Sequence, residues 1–187
     1  REASPDFFRK LRAKCSEVGA VLIFDEVQTG VGRTGEWFFA GSEPAGSVVP
    51  DIVSLAKSLG SGVPVGACLV SSELAGSIKE NDLGTTFGGG MIAMAAVKAT
   101  LDVIEREDLL ANAKQIEGWV RNACSQSGAV KTVHGKGCLL GIEFDGGARN
   151  HYQKLLDANI ITGMSSDPNV LRLLPPLNVT ESEIGLF

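Results

Sequence analysis

The sequence VLIFDEVQTGVGRTG at residues 21–35 indicates an α/β fold. It opens with an unbroken apolar run, Val21 to Phe24, which is typical of a short strand buried on both faces in a parallel sheet. Asp25 follows at the carboxyl end of this predicted strand. Because ligands bind at such strand ends in open α/β sheets, Asp25 is a candidate site residue.

A second apolar run ends in the same way. Residues 52–56 predict a strand that delivers Lys57, and the glycine-containing segment 58–62 then lets backbone come close to a ligand. Alone, an Asp after a strand is more often a turn former or helix cap, and a lone Lys is usually solvated surface. Together, Asp25 and Lys57 outline a cofactor site.

Two nucleotide-binding patterns also match this region, and the sequence argues against both. The strand ending in Asp25-Glu26 looks like the acidic strand of a P-loop ATPase, but the chain contains no G-x-x-x-x-G-K-[ST] to hold the phosphates. Gly30 to Gly35 matches G-x-G-x-x-G. Residues 36–44 show no helical apolar period, however, so no helix amino terminus is predicted there for a pyrophosphate.

Five segments, in order along nearly the whole chain, resemble the class III aminotransferases, which are fold-type I enzymes that use pyridoxal phosphate. They are DEVQTGVGRTG (25–35), PDIVSLAKSLG (50–60), GTTFGG (84–89), GKG (135–137) and LRLLPPL (171–177). The resemblance implies an α/β fold of the fold-type I transferase class. Residues 1–107 would form the carboxyl-terminal part of the large, cofactor-binding domain and its sheet, and residues 108–187 a small, truncated α+β domain.

Periodicity and caps predict the individual elements. We expect a helix opened by Ser4-Pro5 and closed by Gly19, helices at 91–104, 108–123 and 151–158, and strands at 130–133, 138–144 and 170–173.

The resemblance assigns roles to three residues of the first domain. Asp25 would be a buried carboxylate that keeps the ring nitrogen of the cofactor protonated. Gln28 would donate a hydrogen bond to the phenolic oxygen. Lys57 would bind the cofactor covalently and carry a proton. Both tasks require a neutral amine, and burial and a neighbouring cation would favour this form by lowering the pKa of Lys57.

Three further residues are candidates. The resemblance implies that Thr86 reaches the cofactor phosphate of the neighbouring subunit, with Thr85 a weaker candidate. Without it, both threonines would be interpreted as part of a flexible turn. Arg172 stands in an apolar strand, where burial is unfavourable unless it meets an anion. It is predicted to bind the substrate carboxylate, the alternative being a salt bridge to a nearby Glu.

The resemblance implies transamination from an ornithine-like or acetylornithine-like donor to 2-oxoglutarate, in a full-length parent that is a homodimer. A 4-aminobutyrate or other ω-amino acid transaminase is the alternative. Residue 1 is Arg rather than Met, and a capping box at 180–183 starts a helix shortly before Phe187. We therefore expect a carboxyl-terminal fragment that is inactive alone, and a module that only folds or associates stays open.

The composition of the chain limits the classes of binding partner and the cellular location that we expect. A formal charge of −5 without basic clusters argues against nucleic acid. The longest uncharged stretch, residues 83–97, is shorter than the about 20 apolar residues that span a bilayer, and no signal peptide is visible. The 4 cysteines form no C-x-x-C pair and are expected to be buried thiols in the reducing cytoplasm. The 2 histidines are too few and too isolated to suggest a metal.

Overall fold

The computed structural model describes residues 3–187, which divide into two compact units. The first unit comprises residues 3–31 and 36–107, and the second comprises residues 32–35 and 108–187. Along the chain, the first unit ends at residue 107. The grouping of residues 32–35 with the second unit was not predicted. That the first unit is a cofactor-binding domain and the second a small domain stays a prediction.

The first unit contains a three-stranded sheet in the order β1-β2-β3. Its strands are β1 (Ile23–Asp25), β2 (Ile52–Leu55) and β3 (Ala67–Val70). β1 runs parallel to β2, and β2 runs antiparallel to β3. The parallel pair aligns Asp25 with Ser54, so the carboxyl ends of the two strands meet at one edge of the sheet.

The prediction that the first strand is buried on both faces is wrong. Val21 and Ile23 are 47% and 56% exposed, whereas Leu22 is buried. β1 is an edge strand, and β2 is its only sheet partner in the described part of the chain. Phe24 is partly covered because its ring lies 5.7 Å from that of Phe8.

The helices of the first unit are α1 (Pro5–Val18), the 3₁₀ helix Lys57–Gly60, α2 (Ser72–Ala75) and α3 (Met91–Arg106). The predicted limits of α1 are confirmed. The Ser4 side chain accepts a hydrogen bond from the Phe7 N–H, and Gly19 ends the helix in the left-handed conformation with φ 70°.

The second unit contains a four-stranded antiparallel sheet in the order β4-β5-β7-β6. Its strands are β4 (Val130–Lys136), β5 (Leu139–Phe144), β6 (Gly163–Met164) and β7 (Val170–Leu173). Its helices are α4 (Leu109–Ser125), α5 (Arg149–Asp157) and α6 (Glu181–Ile184). α6 begins with the predicted capping box between Thr180 and Glu183.

One face of this sheet forms the core of the second unit. Alternate residues of β5 and β7 are buried in one cluster with the apolar stripe of α4, whose buried members include Ala113, Ile116 and Val120. Residues between the buried positions therefore face outward, as expected for an antiparallel sheet with one covered face. Arg172 is one of these outward residues, since it lies between buried Leu171 and Leu173.

Across residues 3–187, every helix is too short or too polar to cross a membrane.

Candidate active site

The strand register brings Asp25 and Lys57 to the same edge of the first sheet. Asp25 is the last residue of β1, and Lys57 follows two residues after the end of β2. The Oδ1 atom of Asp25 accepts hydrogen bonds from the Val27 N–H (3.0 Å) and the Ser54 hydroxyl (3.1 Å). Its second carboxylate oxygen, Oδ2, accepts no hydrogen bond from residues 3–187.

Asp25 is an anion at neutral pH. The hydrogen bond from the Val27 N–H is the largest cause that lowers the pKa of this carboxyl, followed by the bond from Ser54. The positive charge of Lys57 lowers the pKa further, so the ammonium lies close enough to act on the carboxylate. The structure thus brings together the two residues that the sequence singled out as catalytic.

Lys57 opens the 3₁₀ helix with φ 42°, a left-handed conformation that costs a residue other than glycine about 1–3 kcal/mol. Buried Leu59 and Gly60 anchor this turn. The expected burial of Lys57 and Asp25 is not found, because both are exposed, and the charged neighbour of Lys57 is an anion rather than a cation.

The other predicted cofactor residues are also exposed. Gln28 lies in the turn after Asp25, and within residues 3–187 its amide makes no hydrogen bond. Thr85 and Thr86 lie in a turn in which the Gly88 N–H donates to the Thr85 carbonyl at 3.4 Å. In the described part of the chain, no hydrogen bond joins either threonine to Asp25, Gln28 or Lys57.

Glu26 holds the turn that follows Asp25, and it is not among the site residues predicted from the sequence. Glu26 is only 1% exposed. Its carboxylate accepts hydrogen bonds from the backbone N–H groups of Phe39 (2.7 Å) and Ala40 (2.6 Å) and from the Thr29 hydroxyl (2.9 Å). A buried carboxylate is stable only when hydrogen bonds or charges satisfy it, as these three donors do. An acidic residue entering a glycine-rich turn was the available signal, but its backbone donors lie 13 and 14 residues away.

Ser58 is a second supporting residue that the sequence did not reveal. Its hydroxyl donates to the Gly30 carbonyl at 2.7 Å and accepts from the Val31 N–H at 3.1 Å. A Cβ atom on Gly30 would lie 3.0 Å from the Leu55 side chain, so the close approach of the turn to β2 suits glycine. Ser58 therefore fastens the turn that follows Gln28 to the helix that begins with Lys57.

Arg172 belongs to the second unit and is exposed, contrary to the expectation that the apolar strand buries it. The alternation of β7 explains this, since Leu171 and Leu173 face the core and Arg172 faces outward. Within residues 3–187, Arg172 forms no hydrogen bond or ion pair, so the alternative salt bridge to Glu is not made. Its five N–H donors are available to a ligand.

The family model for aminotransferase class-III matches residues 1–187. The chain belongs to this family. Acetylornithine aminotransferase from Bacillus subtilis is 42% identical over 186 residues, which are 98% of this chain and 47% of that protein. Acetylornithine aminotransferase from Archaeoglobus fulgidus is 36% identical over 97% of this chain and 47% of its own length. This class III chain therefore spans about half the length of the curated relatives that it matches.

Solved structures agree with the fold of this class III chain. Ornithine δ-aminotransferase from Plasmodium falciparum superposes with a TM-score of 0.82 at 29% identity, covering 97% of this chain and 48% of that one. Acetylornithine aminotransferase from Elizabethkingia anophelis superposes with a TM-score of 0.82 at 31% identity, covering 95% of this chain and 46% of that one. The predicted α/β class of a fold-type I transferase is confirmed.

Class III aminotransferases depend on pyridoxal phosphate, and the side chains at the edge of the first sheet fit that group. Asp25 has an unoccupied anionic oxygen suited to a cationic ring N–H, and Lys57 has a primary amine without a hydrogen-bond partner among residues 3–187. Gln28 adds an uncharged donor.

Proposed function

We propose that the whole protein is an aminotransferase that uses pyridoxal phosphate to transfer an amino group from an ornithine-like or acetylornithine-like donor to 2-oxoglutarate. The observation that carries this proposal is the pairing of Asp25, which has one free carboxylate oxygen, with Lys57 at the carboxyl edge of two parallel strands. Membership of the class III family and the names of the relatives support the choice of donor. A 4-aminobutyrate or other ω-amino acid donor stays the alternative.

Each side chain has a distinct task in this proposal. When bound, pyridoxal phosphate supplies an electron sink for a substrate carbanion. Asp25 offers a fixed negative charge to a cationic N–H, and the hydrogen bonds that lower its pKa keep that charge in place. Lys57 would supply the amine that holds the cofactor covalently and, once the substrate amine has released it, would move the proton of the substrate α-carbon. Gln28 donates to an oxygen without adding charge.

Arg172 is the proposed site for a substrate carboxylate. Its planar guanidinium is exposed and unpaired within residues 3–187, and such a fork binds a carboxylate through two parallel hydrogen bonds. Thr86, with Thr85 beside it, is proposed to donate to the cofactor phosphate of a second copy of the protein. This places the two threonines at the interface of a homodimer.

Chemical trapping tests the assignment of Lys57. We expect borohydride reduction of the active protein, followed by peptide mapping, to find the pyridoxyl label on Lys57. Lys57→Ala should lower turnover by at least about 100- to 10,000-fold, the usual contribution of a positioned proton-transfer group. Lys98→Ala is the matched control, since Lys98 is a surface lysine that pairs with Asp102 in the same unit.

A label on another lysine would overturn this assignment. An active preparation with no label on any lysine would exclude covalent anchoring altogether. A purified protein with neither label nor turnover would favour the alternative of a module that only folds or associates.

A further inference from the structure

Arg172 stands between two glycines in the sheet of the second unit. Gly141 of β5 is directly opposite on one side, and Gly163 of β6 is directly opposite on the other. Directly opposite residues project from the same face of a sheet. A glycine within a strand often marks a place where a ligand or another group approaches closely. The two positions directly opposite Arg172 therefore carry no side chain.

The two glycines differ in how they meet Arg172. A Cβ atom added to Gly163 would lie 3.3 Å from Nη2 and 3.4 Å from Nε of Arg172. A Cβ atom added to Gly141 would instead lie 3.1 Å from Cγ1 of Val170 and 4.0 Å from Cβ of His134. The guanidinium of Arg172 thus lies over Gly163 and away from Gly141.

The backbone does not explain the glycine at 163. Neither Gly141 nor Gly163 has φ in the left-handed region, so alanine fits either backbone without conformational strain. Within residues 3–187, no hydrogen bond or ion pair holds the Arg172 guanidinium. The guanidinium instead packs against the bare backbone of β6 at Gly163.

We propose that Gly163 is a positioning residue that sets the direction in which Arg172 presents its N–H donors to a substrate carboxylate. This inference rests on the proposed role of Arg172. Binding through two parallel hydrogen bonds requires the guanidinium plane to be aligned with the carboxylate. A methyl group at position 163 would push the guanidinium by a few tenths of an ångström, because the contacts of 3.3 and 3.4 Å leave too little room.

Steady-state kinetics of Gly163→Ala in the active enzyme tests the proposal. We expect KM for 2-oxoglutarate to rise about 3- to 10-fold, less than the 100-fold that a 1 Å misplacement can produce. Turnover at saturating substrate and the borohydride label on Lys57 should stay at wild-type levels, since neither depends on Arg172. Unchanged KM in Gly163→Ala would overturn the proposal.

Gly141→Ala is the matched control, because it adds the same methyl group to the opposite neighbour of Arg172 without touching the guanidinium. Its KM should stay within about twofold of wild type, because the added methyl group meets Val170 Cγ1 and His134 Cβ and not the guanidinium. An equal rise in both variants would assign the effect to the sheet in general and would also overturn the proposal.

A double variant separates this proposal from the proposed function. Adding Gly163→Ala to Arg172→Ala should change KM no further, because the group that Gly163 orients is already gone. If Gly163→Ala alone fails to fold and the double variant folds, the clash between the methyl group and the guanidinium is demonstrated. An additive rise in KM in the double variant would refute the positioning role of Gly163.

Arg172→Lys keeps the charge and loses the planar fork, so it tests whether Arg172 binds the substrate carboxylate at all. If that variant keeps wild-type KM, the substrate role of Arg172 fails; if its KM rises and that of Gly163→Ala does not, only the role of Gly163 fails.

Discussion

Asp25 is held as an anion by hydrogen bonds that an amide side chain could also accept. In Asp25→Asn, the side-chain oxygen can still accept from Val27 and Ser54, so the turn keeps its shape while the charge is lost. We expect turnover to fall on the order of 100-fold or more, as when a preorganised electrostatic group is removed. Single-turnover kinetics with circular dichroism as the folding check is the measurement. Near-parental turnover in a folded Asn variant would contradict the electrostatic role.

The cysteines should differ sharply in reactivity. Burial raises the pKa of the Cys138 thiol to about 11 and also raises the pKa of Cys124, whereas Cys68 is exposed. Because the thiolate is the reactive form, we expect iodoacetamide at pH 7.5 to modify Cys68 in the native protein and the other two only after unfolding. Mass spectrometry of the peptides reads this out, and native labelling of Cys138 at the rate of Cys68 would contradict it. The expectation of buried thiols holds for Cys124 and Cys138 and is wrong for Cys15, which is partly buried, and for Cys68, which is exposed.

The sequence identified Asp25 and Lys57 because each follows an apolar run, which is a local signal. It missed Glu26 and Ser58, because their function depends on partners that only the folded chain brings close. Ser58 meets the Gly30 carbonyl across 28 residues of sequence. No local pattern states which backbone groups such a side chain will satisfy.

At the scale of elements, Asp51 joins α1 to the start of the first sheet. Its Oδ2 atom accepts hydrogen bonds from the Leu22 N–H and from Arg12, both at 2.7 Å. These two hydrogen bonds lower the pKa of Asp51 below its usual 3.8, and the bond from Leu22 has the larger effect. A carboxyl whose pKa is lowered by folding stabilises the protein fully above its unfolded pKa and loses that effect as the pH falls towards the folded pKa.

We therefore expect the wild-type protein to lose more stability than Asp51→Asn between pH 6 and pH 3. Urea unfolding at the two pH values measures the difference, and equal losses would contradict the role of Asp51. Asp102→Asn is the control, since it removes an exposed pair with Lys98 and should change stability little at pH 6.

Elements with local signals were predicted well. The caps Ser4 and Gly19 gave the limits of α1, and the strand predicted at residues 170–173 is β7 as observed. The environment of β1 was predicted incorrectly. An apolar run indicates that a strand can be buried, but which elements cover it depends on the rest of the fold.

At the scale of the whole molecule, the segment around Thr85 and Thr86 exposes a group of large apolar side chains. Leu83, Phe87, Met91 and Ile92 are 74%, 89%, 89% and 82% exposed. Such a cluster is typical of a protein interface. It supports the proposed homodimer, in which these residues would be covered by a second copy.

Phe87→Ser should therefore weaken self-association of the active protein. Burying a Phe side chain contributes about 1.5–3 kcal/mol, and a two-fold interface counts it twice, so we expect the dimer dissociation constant to rise at least on the order of 100-fold. Light scattering with size-exclusion chromatography measures it. Leu186→Ser is the control, since Leu186 is 73% exposed but lies in the second unit. A wild-type monomer, or equal dissociation constants for wild type and Phe87→Ser, would contradict the prediction.

The membership of residues 32–35 in the second unit was beyond sequence reasoning. Arg33 donates to the carbonyls of Cys138 and Pro175, which are 105 and 142 residues away, and the Cys138 N–H donates to the Arg33 carbonyl at 2.8 Å. A Cβ atom on Gly137 would lie 2.7 Å from that carbonyl oxygen, so this position suits glycine because of a tertiary contact as well as its left-handed φ of 56°. Gly135 differs, because its added Cβ would meet the Leu139 carbonyl oxygen of the same hairpin.

The edge position of β1 has a consequence for handling the protein. In the described chain, the side of β1 away from β2 presents unpaired backbone donors and acceptors, and the exposed Val21 and Ile23 add apolar surface beside them. An uncovered edge of this kind is a template for another strand and a route to aggregation. When these 187 residues are expressed by themselves, the fraction that forms inclusion bodies should therefore rise with the concentration of the protein. A charged substitution at Val21, where a lysine would discourage strand addition, is the simplest remedy.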